Sequence, residues 1–302
     1  MVIAAFLITF REALEAALII AIIVAYLTKI NKNGAKKYVW IGSAAAILLS
    51  FAIGILVFIF FGKLGDLAES AFEGCASILA TIVLTAMIFW MARNSRNMKE
   101  HLQKKIDTFI SKKYLIGIAS IAFIAIFREG IETVLFLTAL YGIDFAGTFI
   151  GMAGGLLIVV AISYLLLKGT VRLPLQKFFK YTSIILIVFA AGLLGYGIHE
   201  LMDAGEGIGV NFGFWGQHAY DINPADEKNP LHEDVAIGSV LRGLVGYDGN
   251  PEILRVVVYL AYWIVIGGYF FKTYKGFSFR DYLGLRKQPF TVIKPIASHL
   301  KK

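Results

Sequence analysis

Seven apolar runs, each long enough to cross about 30 Å of hydrocarbon, fall at roughly 2–28, 38–62, 73–92, 114–141, 146–168, 181–203 and 253–272. Runs of this length commit the chain to an all-α membrane bundle, because lipid offers no partner to an open backbone. Charged residues are only 17% of the 302, and between the runs they leave no soluble domain of useful size. The N-terminus has neither a basic segment nor a small-residue cleavage site, so the first run reads as a retained helix and not a removable signal. Cys75 is the only cysteine and lies in an apolar run, which excludes an intramolecular disulfide and a thiolate metal cluster.

The loops alternate in charge. Lys29, Lys32, Lys36 and Lys37 fill the first, and Arg93, Arg96, Lys99, Lys104, Lys105, Lys112 and Lys113 the third. Lys168, Arg172, Lys177 and Lys180 fill the fifth, and the tail is basic from Lys272 onward. The second loop sets Asp66 and Glu69 against Lys63, the fourth has Asp144 alone, and the sixth is long and acidic. The positive-inside rule then puts every odd loop and the tail in the cytoplasm, with the N-terminus outside and the C-terminus inside. Tyr26, Tyr38, Trp40, Trp90 and Tyr114 cluster at the same ends, as interfacial aromatics do. The net charge of +8 therefore belongs to membrane topology and implies no nucleic-acid partner.

Two of the runs carry ions where a membrane segment tolerates them least. Arg11, Glu12 and Glu15 lie mid-run in the first, and Arg128, Glu129 and Glu132 repeat the pattern in the fourth. A central charge costs about 2.5–3.5 kcal/mol on insertion scales, so six unpaired ones would cost on the order of 15–20 kcal/mol, more than a typical folding free energy. They must face the bundle interior, pair with one another and meet water or a ligand. In a helix the two glutamates of each motif share a face, and each arginine sits four residues before the second glutamate. The recurrence divides the chain into repeat A (about 1–93) and repeat B (about 114–203), inverted in topology. An external acidic loop (204–252), the seventh run and a cytoplasmic tail (276–302) follow, with residues 1–275 forming one permease domain. Both motifs then reach the midplane from opposite sides, the layout of a transporter built on inverted repeats. The alternative is a receptor or assembly subunit whose Arg–Glu pairs only lock helices together. With carboxylate oxygens and no His, Cys or Met, the motifs suit a hard multivalent cation: magnesium, calcium, manganese or ferric iron.

The two Arg-Glu-x-x-Glu motifs, in runs one and four of a seven-span chain, resemble those of the high-affinity, oxidase-dependent iron permeases. FEGCASILATIVLTAMIFWM, AAGLLGYGIHELMDAG and GSVLRGLVGYDGNPEILRVVVYLAYW resemble further segments of that family. The resemblance implies iron uptake across the plasma membrane, with iron as substrate and no tightly bound cofactor. It implies Glu12, Glu15, Glu129 and Glu132 as ligands and Arg11 and Arg128 as their charge partners. It also implies iron presented as the ferric ion by an external oxidase or a periplasmic delivery protein. Some relatives are associated with lead, so lead or manganese stands as an alternative cargo.

Secondary candidates lie toward the outer side. Glu73, Ser77, Thr81 and Thr85 recur every four residues in run three, and Glu73 is placed to receive metal first. The hydroxyls read more simply as helix-packing groups. His199, Glu200 and Asp203 end run six, either as an external gate or as an interfacial salt bridge. Gly151 and Gly155, and Gly192, Gly195 and Gly197, read as close helix contacts, with a bend in run six left open. The acidic loop reads either as a cation-concentrating field or as an ordinary solvated loop with His218 and His232 in it. DVAIGSVLRGLVGY within that loop is too short to span and reads as an interfacial or re-entrant helix. No nucleotide-binding loop appears, and no nucleophile–base set or zinc-protease motif points to an enzyme.

Overall fold

A computed structural model describes residues 2–94, 98–111, 114–167, 175–222, 238, 241, 242 and 245–270. The expected helix at 234–247 falls largely outside these residues, and His232 and the tail from 276 fall wholly outside them. The described residues are almost entirely helical: α1 (Val2–Lys29), α2 (Lys36–Phe61), α3 (Asp66–Asn94), α4 (Met98–Ser111), α5 (Ile116–Tyr141), α6 (Phe145–Leu167), α7 (Leu175–Gly207) and α8 (Ile253–Tyr262). Five stretches are long and apolar enough to cross a membrane: Asn33–Phe61, Asp66–Met91, Phe145–Leu165, Tyr181–Gly207 and Ile253–Phe270. The helices α1 and α5 match these in length, at 28 and 26 residues, and differ only in carrying the three ionisable motif residues mid-length. The chain divides into two units, Met1–Leu260 and Ala261–Lys302. In the second unit, Trp263–Gly267 forms a π turn.

Local chemistry explains where the helices stop and start. After α1, Asn31 takes φ +57°, and Asn31 N–H and Lys32 N–H bond the carbonyls of Thr28 and Leu27. This is a Schellman end, with asparagine in the left-handed conformation that glycine or asparagine best accepts. A single 3-10 turn, Asn33–Ala35, then reverses the chain into α2. Gly209, at φ +88°, ends α7 in the same way through bonds from Gly209 and Val210 to Glu206 and Gly205. The third run extends further back than its hydropathy implies, since α3 opens with Asp66 and Glu69 in its first turn. Carboxylates there complement the helix dipole, so two residues expected in a loop belong to the helix.

The third loop also holds structure that the charge pattern hides. Helix α4 buries Leu102 and Ile106 against Ile19, Ile23, Leu27, Val39, Ile118 and Ala122. Tyr26 Oη donates to Asp107 Oδ1 at 2.6 Å, tying α1 to α4. The polar face carries Lys104, paired in an exposed contact with Glu100 at 2.8 Å. The loop thus closes the end of the bundle where α1 finishes and α2 and α5 begin.

Glycines set the close contacts between helices. Gly42 and Gly54 of α2 meet Ala119 and Val134 of α5, so these two helices run parallel. Gly151 and Gly155 of α6 press on the backbone of Val2 and Phe6 in α1, and these run parallel too. Gly74 and Leu67 of α3 face Gly197 and Gly207 of α7, an antiparallel pair. A side chain at Gly42, Gly74, Gly151 or Gly155 would collide with neighbouring backbone or packed side chains, which is the packing role expected of small residues in membranes. Helix α7 continues through Gly192, Gly195 and Gly197 without interruption.

Candidate metal centre

The α1–α2 reversal turns α1 against the direction of α5, and the two helices cross at their motifs. Counting from Val2 and Ile116 at a 1.5 Å rise, Glu12 and Glu129 each lie about 15–20 Å along their helices. At the crossing Glu12, Glu15 and Glu129 each offer one carboxylate oxygen, all within 4.8 Å of one another. All three residues are buried. Two oxygens bound to one hard ion at about 2.1–2.4 Å can stand no further apart than about 4.2–4.8 Å, so closure on a cation needs little movement.

The arginines are placed as the spacing requires. Arg11, 1% exposed, reaches Glu12 Oε1 with Nη1 at 3.3 Å and Glu15 Oε1 with Nε at 3.2 Å. Arg128 donates from Nε to Glu132 Oε1 at 2.8 Å, and its guanidinium lies 4.7 Å from the centre of the Trp90 ring. Glu132 stands outside the group of three, held by Arg128.

Among the described residues, each of the four motif glutamates keeps one buried oxygen with no hydrogen-bond partner: Glu12 Oε2, Glu15 Oε1, Glu129 Oε2 and Glu132 Oε2. Glu15 Oε1 is near Arg11 Nε but out of line for a hydrogen bond. A buried unsatisfied polar atom costs about 1–3 kcal/mol, more when charged. Three of the four lie on glutamates of the converging group, and the fourth lies on Glu132 beside Arg128. A half-open cavity of about 740 Å³ between α1, α2, α5 and α6, walled mainly by apolar side chains such as Phe51, Ile55 and Leu156, reaches this centre, with Glu12 and Glu129 in its wall.

The outer candidates separate into two groups. Glu73 is buried between α3 and α7, where it accepts a hydrogen bond from Tyr196 Oη, with Glu200 close beside the pair. The Gly142 backbone packs against the Glu73 carboxylate. Thr81 Oγ1 donates to the carbonyls of Ser77 and Ala190, at 2.9 and 3.2 Å, the packing role expected of that hydroxyl, whereas Ser77 Oγ is buried with no partner among the described residues. His199 Nδ1 lies 2.7 Å from Glu252 Oε1, and its Nε2 lies 3.7 Å from Asp203 Oδ2. Burial pushes the Glu252 carboxyl up, but the His199 hydrogen bond and nearby Arg255 outweigh it and hold Glu252 below the usual range. Arg255 pairs with Asp248, and His218 Nδ1 meets Asn250 O at 2.8 Å, a loop contact. The sequence reading misses Tyr196, Glu252 and Arg255 because each finds its partner through tertiary folding and belongs to no local pattern.

A helical membrane bundle with oxygen donors converging at the crossing of two of its helices is the architecture of a multi-pass cation transporter. The iron permease FTR1 family matches residues 2–271. The chain belongs to that family. An uncharacterized protein of Archaeoglobus fulgidus is 38% identical over 267 residues, covering 88% of this chain and 94% of its own. The ferrous iron permease EfeU of Yersinia pestis is 36% identical over 262 residues, 86% of this chain and 89% of its own. EfeU of Escherichia coli O6:H1 is 33% identical over 263 residues, 86% and 91% respectively. No solved structure matches.

Proposed function

We propose that the chain is a seven-span permease, N-terminus outside and C-terminus inside, that carries iron inward across the plasma membrane through Glu12, Glu15 and Glu129. Counting α1 and α5 with the five stretches long and apolar enough to cross a membrane gives seven. The inverted repeat is supported by the helix pairings: exchanging α1, α2, α3 for α5, α6, α7 maps the parallel α1–α6 pair onto α5–α2 and returns the antiparallel α3–α7 pair to itself. The observation that carries the reading is the partnerless buried oxygen on each motif glutamate, three of which belong to the converging group.

The cargo is ferrous iron. In their ionised forms three carboxylates against Arg11 leave two negative charges, which a divalent ion neutralises and a trivalent one overshoots in a low-dielectric interior. Two relatives are named ferrous iron permeases, so the ferric expectation gives way to this reading. Glu132 with Arg128 is the next acceptor on the path. Glu73 with Tyr196 and Glu200 is an outer gate, and His199 and Asp203 anchor the loop beside it. The membrane potential pulls a bound cation inward at about 2.3 kcal/mol per charge per 100 mV, which supplies drive without a nucleotide site. An external oxidase or delivery protein remains compatible as a supplier.

The test is uptake of labelled iron by purified protein in liposomes, supplied as the reduced ion under ascorbate and as a ferric chelate. Ferrous uptake that disappears in Glu12→Gln and Glu129→Gln, with both variants eluting as intact protein, supports the reading. Uptake of only the ferric form overturns the cargo. Entry of manganese or lead in preference to iron, the second reading that an oxygen-only site favours, does so too. Assembly failure in every motif glutamine variant would point to purely structural Arg–Glu pairs.

A further inference from the structure

Two hydroxyls in the cavity wall break the rule that the others keep. Thr133, Thr138 and Ser163 line the cavity, and each donates to the carbonyl four residues earlier, at 2.7, 2.8 and 2.6 Å. Thr148 donates to Leu140 O at 3.2 Å. That is the ordinary fate of a hydroxyl on a helix in lipid. Thr9 Oγ1 and Ser50 Oγ line the same cavity, are buried at 4% and 6% exposure, and have no hydrogen-bond partner among the described residues.

Both stand beside the carboxylates. Thr9 is one turn before Glu12 on the same face of α1. Ser50, on α2, packs against Gly130, the residue after Glu129. A side chain at position 130 would occupy the space of the Ser50 hydroxyl, so this glycine lets the hydroxyl approach the second motif. At the place of Thr9 in the second repeat stands Ile126, so helix packing in this fold does not itself demand a hydroxyl there.

We propose that Thr9 and Ser50 are hydroxyl ligands that hand the cation to and from the Glu12, Glu15 and Glu129 carboxylates. The proposal rests on the reading of those carboxylates as the transport site. A neutral oxygen holds a hard cation more weakly than a carboxylate, and conduction requires sites weak enough to be left as well as strong enough to be entered. The hydroxyls supply the weak step next to the strong one.

The experiment measures ferrous uptake in liposomes and equilibrium iron(II) binding in detergent on the same preparations. Thr9→Val combined with Ser50→Ala lowers uptake about tenfold or more and leaves binding within about threefold of wild type, since the carboxylates that dominate hard-cation affinity are untouched. Ser50→Cys, in a Cys75→Ser background, replaces a hard ligand by a soft one. It raises the cadmium-to-iron uptake ratio about tenfold over the background alone, a change that a merely structural hydroxyl would not produce. Wild-type uptake in the double variant, beside a dead Glu12→Gln, overturns the hydroxyl step and leaves the carboxylate site standing. Normal uptake in Glu12→Gln overturns the carboxylate reading and the hydroxyl step with it. Should the double variant misassemble, the near-isosteric Ser50→Cys decides alone: an unchanged cadmium-to-iron ratio rejects the proposal.

Discussion

The two Arg-Glu-x-x-Glu motifs share a sequence pattern and differ in what surrounds the arginine. Arg11 is fully buried and contacts both glutamates of its own motif. The side chain of Arg128 is 44% exposed, pairs among the described residues with Glu132 but not Glu129, and lies against Trp90. The difference arises one helix away. Helix α3, which carries Trp90, packs on α5, whereas its repeat counterpart α7 barely meets α1. A repeated sequence thus receives two environments because the third helices of the repeats do not pack equivalently. The first motif is a buried half that presents Glu12 and Glu15 together. The second is a more exposed half that places Glu129 in the group and keeps Glu132 apart.

The comparison can be broken most directly at the carboxylates. Glu12→Gln and Glu129→Gln are expected to lower ferrous uptake at least a hundredfold, while Glu132→Gln lowers it only about tenfold, since a ligand in the converging group is worth several kcal/mol and a peripheral one about 1.4 kcal/mol. Equal losses in all three, read from initial rates in liposomes, would make Glu132 a full ligand and erase the distinction. Next come the arginines. Arg11→Met strands buried carboxylates and is expected to cost about 3–5 kcal/mol of stability in detergent. Arg128→Met strands one buried carboxylate, Glu132, where Arg11→Met strands two, and should cost less, about 1–3 kcal/mol. Matching thermal shifts for the two would show that their burial is alike in the working protein. Smallest is Trp90→Ala, which removes the ring from Arg128 and should cost about 0.5–1 kcal/mol. Its sharper readout is transport, where uptake falling as far as in Glu132→Gln would tie Trp90 to the position of that carboxylate.

Much of this was legible in the chain itself. The span limits of α1, α2, α5 and α6 follow from hydropathy to within two residues, because lipid demands a long unbroken apolar helix. The motif arginine pairs follow from helical spacing alone, as Arg11–Glu15 and Arg128–Glu132 show. Helix α4 was hidden by its Lys-rich face, although Leu102, Ile106 and Phe109 trace an apolar stripe at helical spacing. The acidic start of α3 was hidden by the same preference for reading charge as loop.

What the sequence by itself determined is that six ions lie mid-helix and must find partners in the interior, since hydrocarbon cannot solvate them. It could not determine which of them meet. That Glu12, Glu15 and Glu129 converge while Glu132 stays with Arg128 depends on how α1 crosses α5 and on which side α3 packs. That Glu73 meets Tyr196, and His199 meets Glu252, depends on contacts spanning 123 and 53 residues. Local periodicity fixes the face a side chain occupies; only the packed bundle decides what stands opposite it.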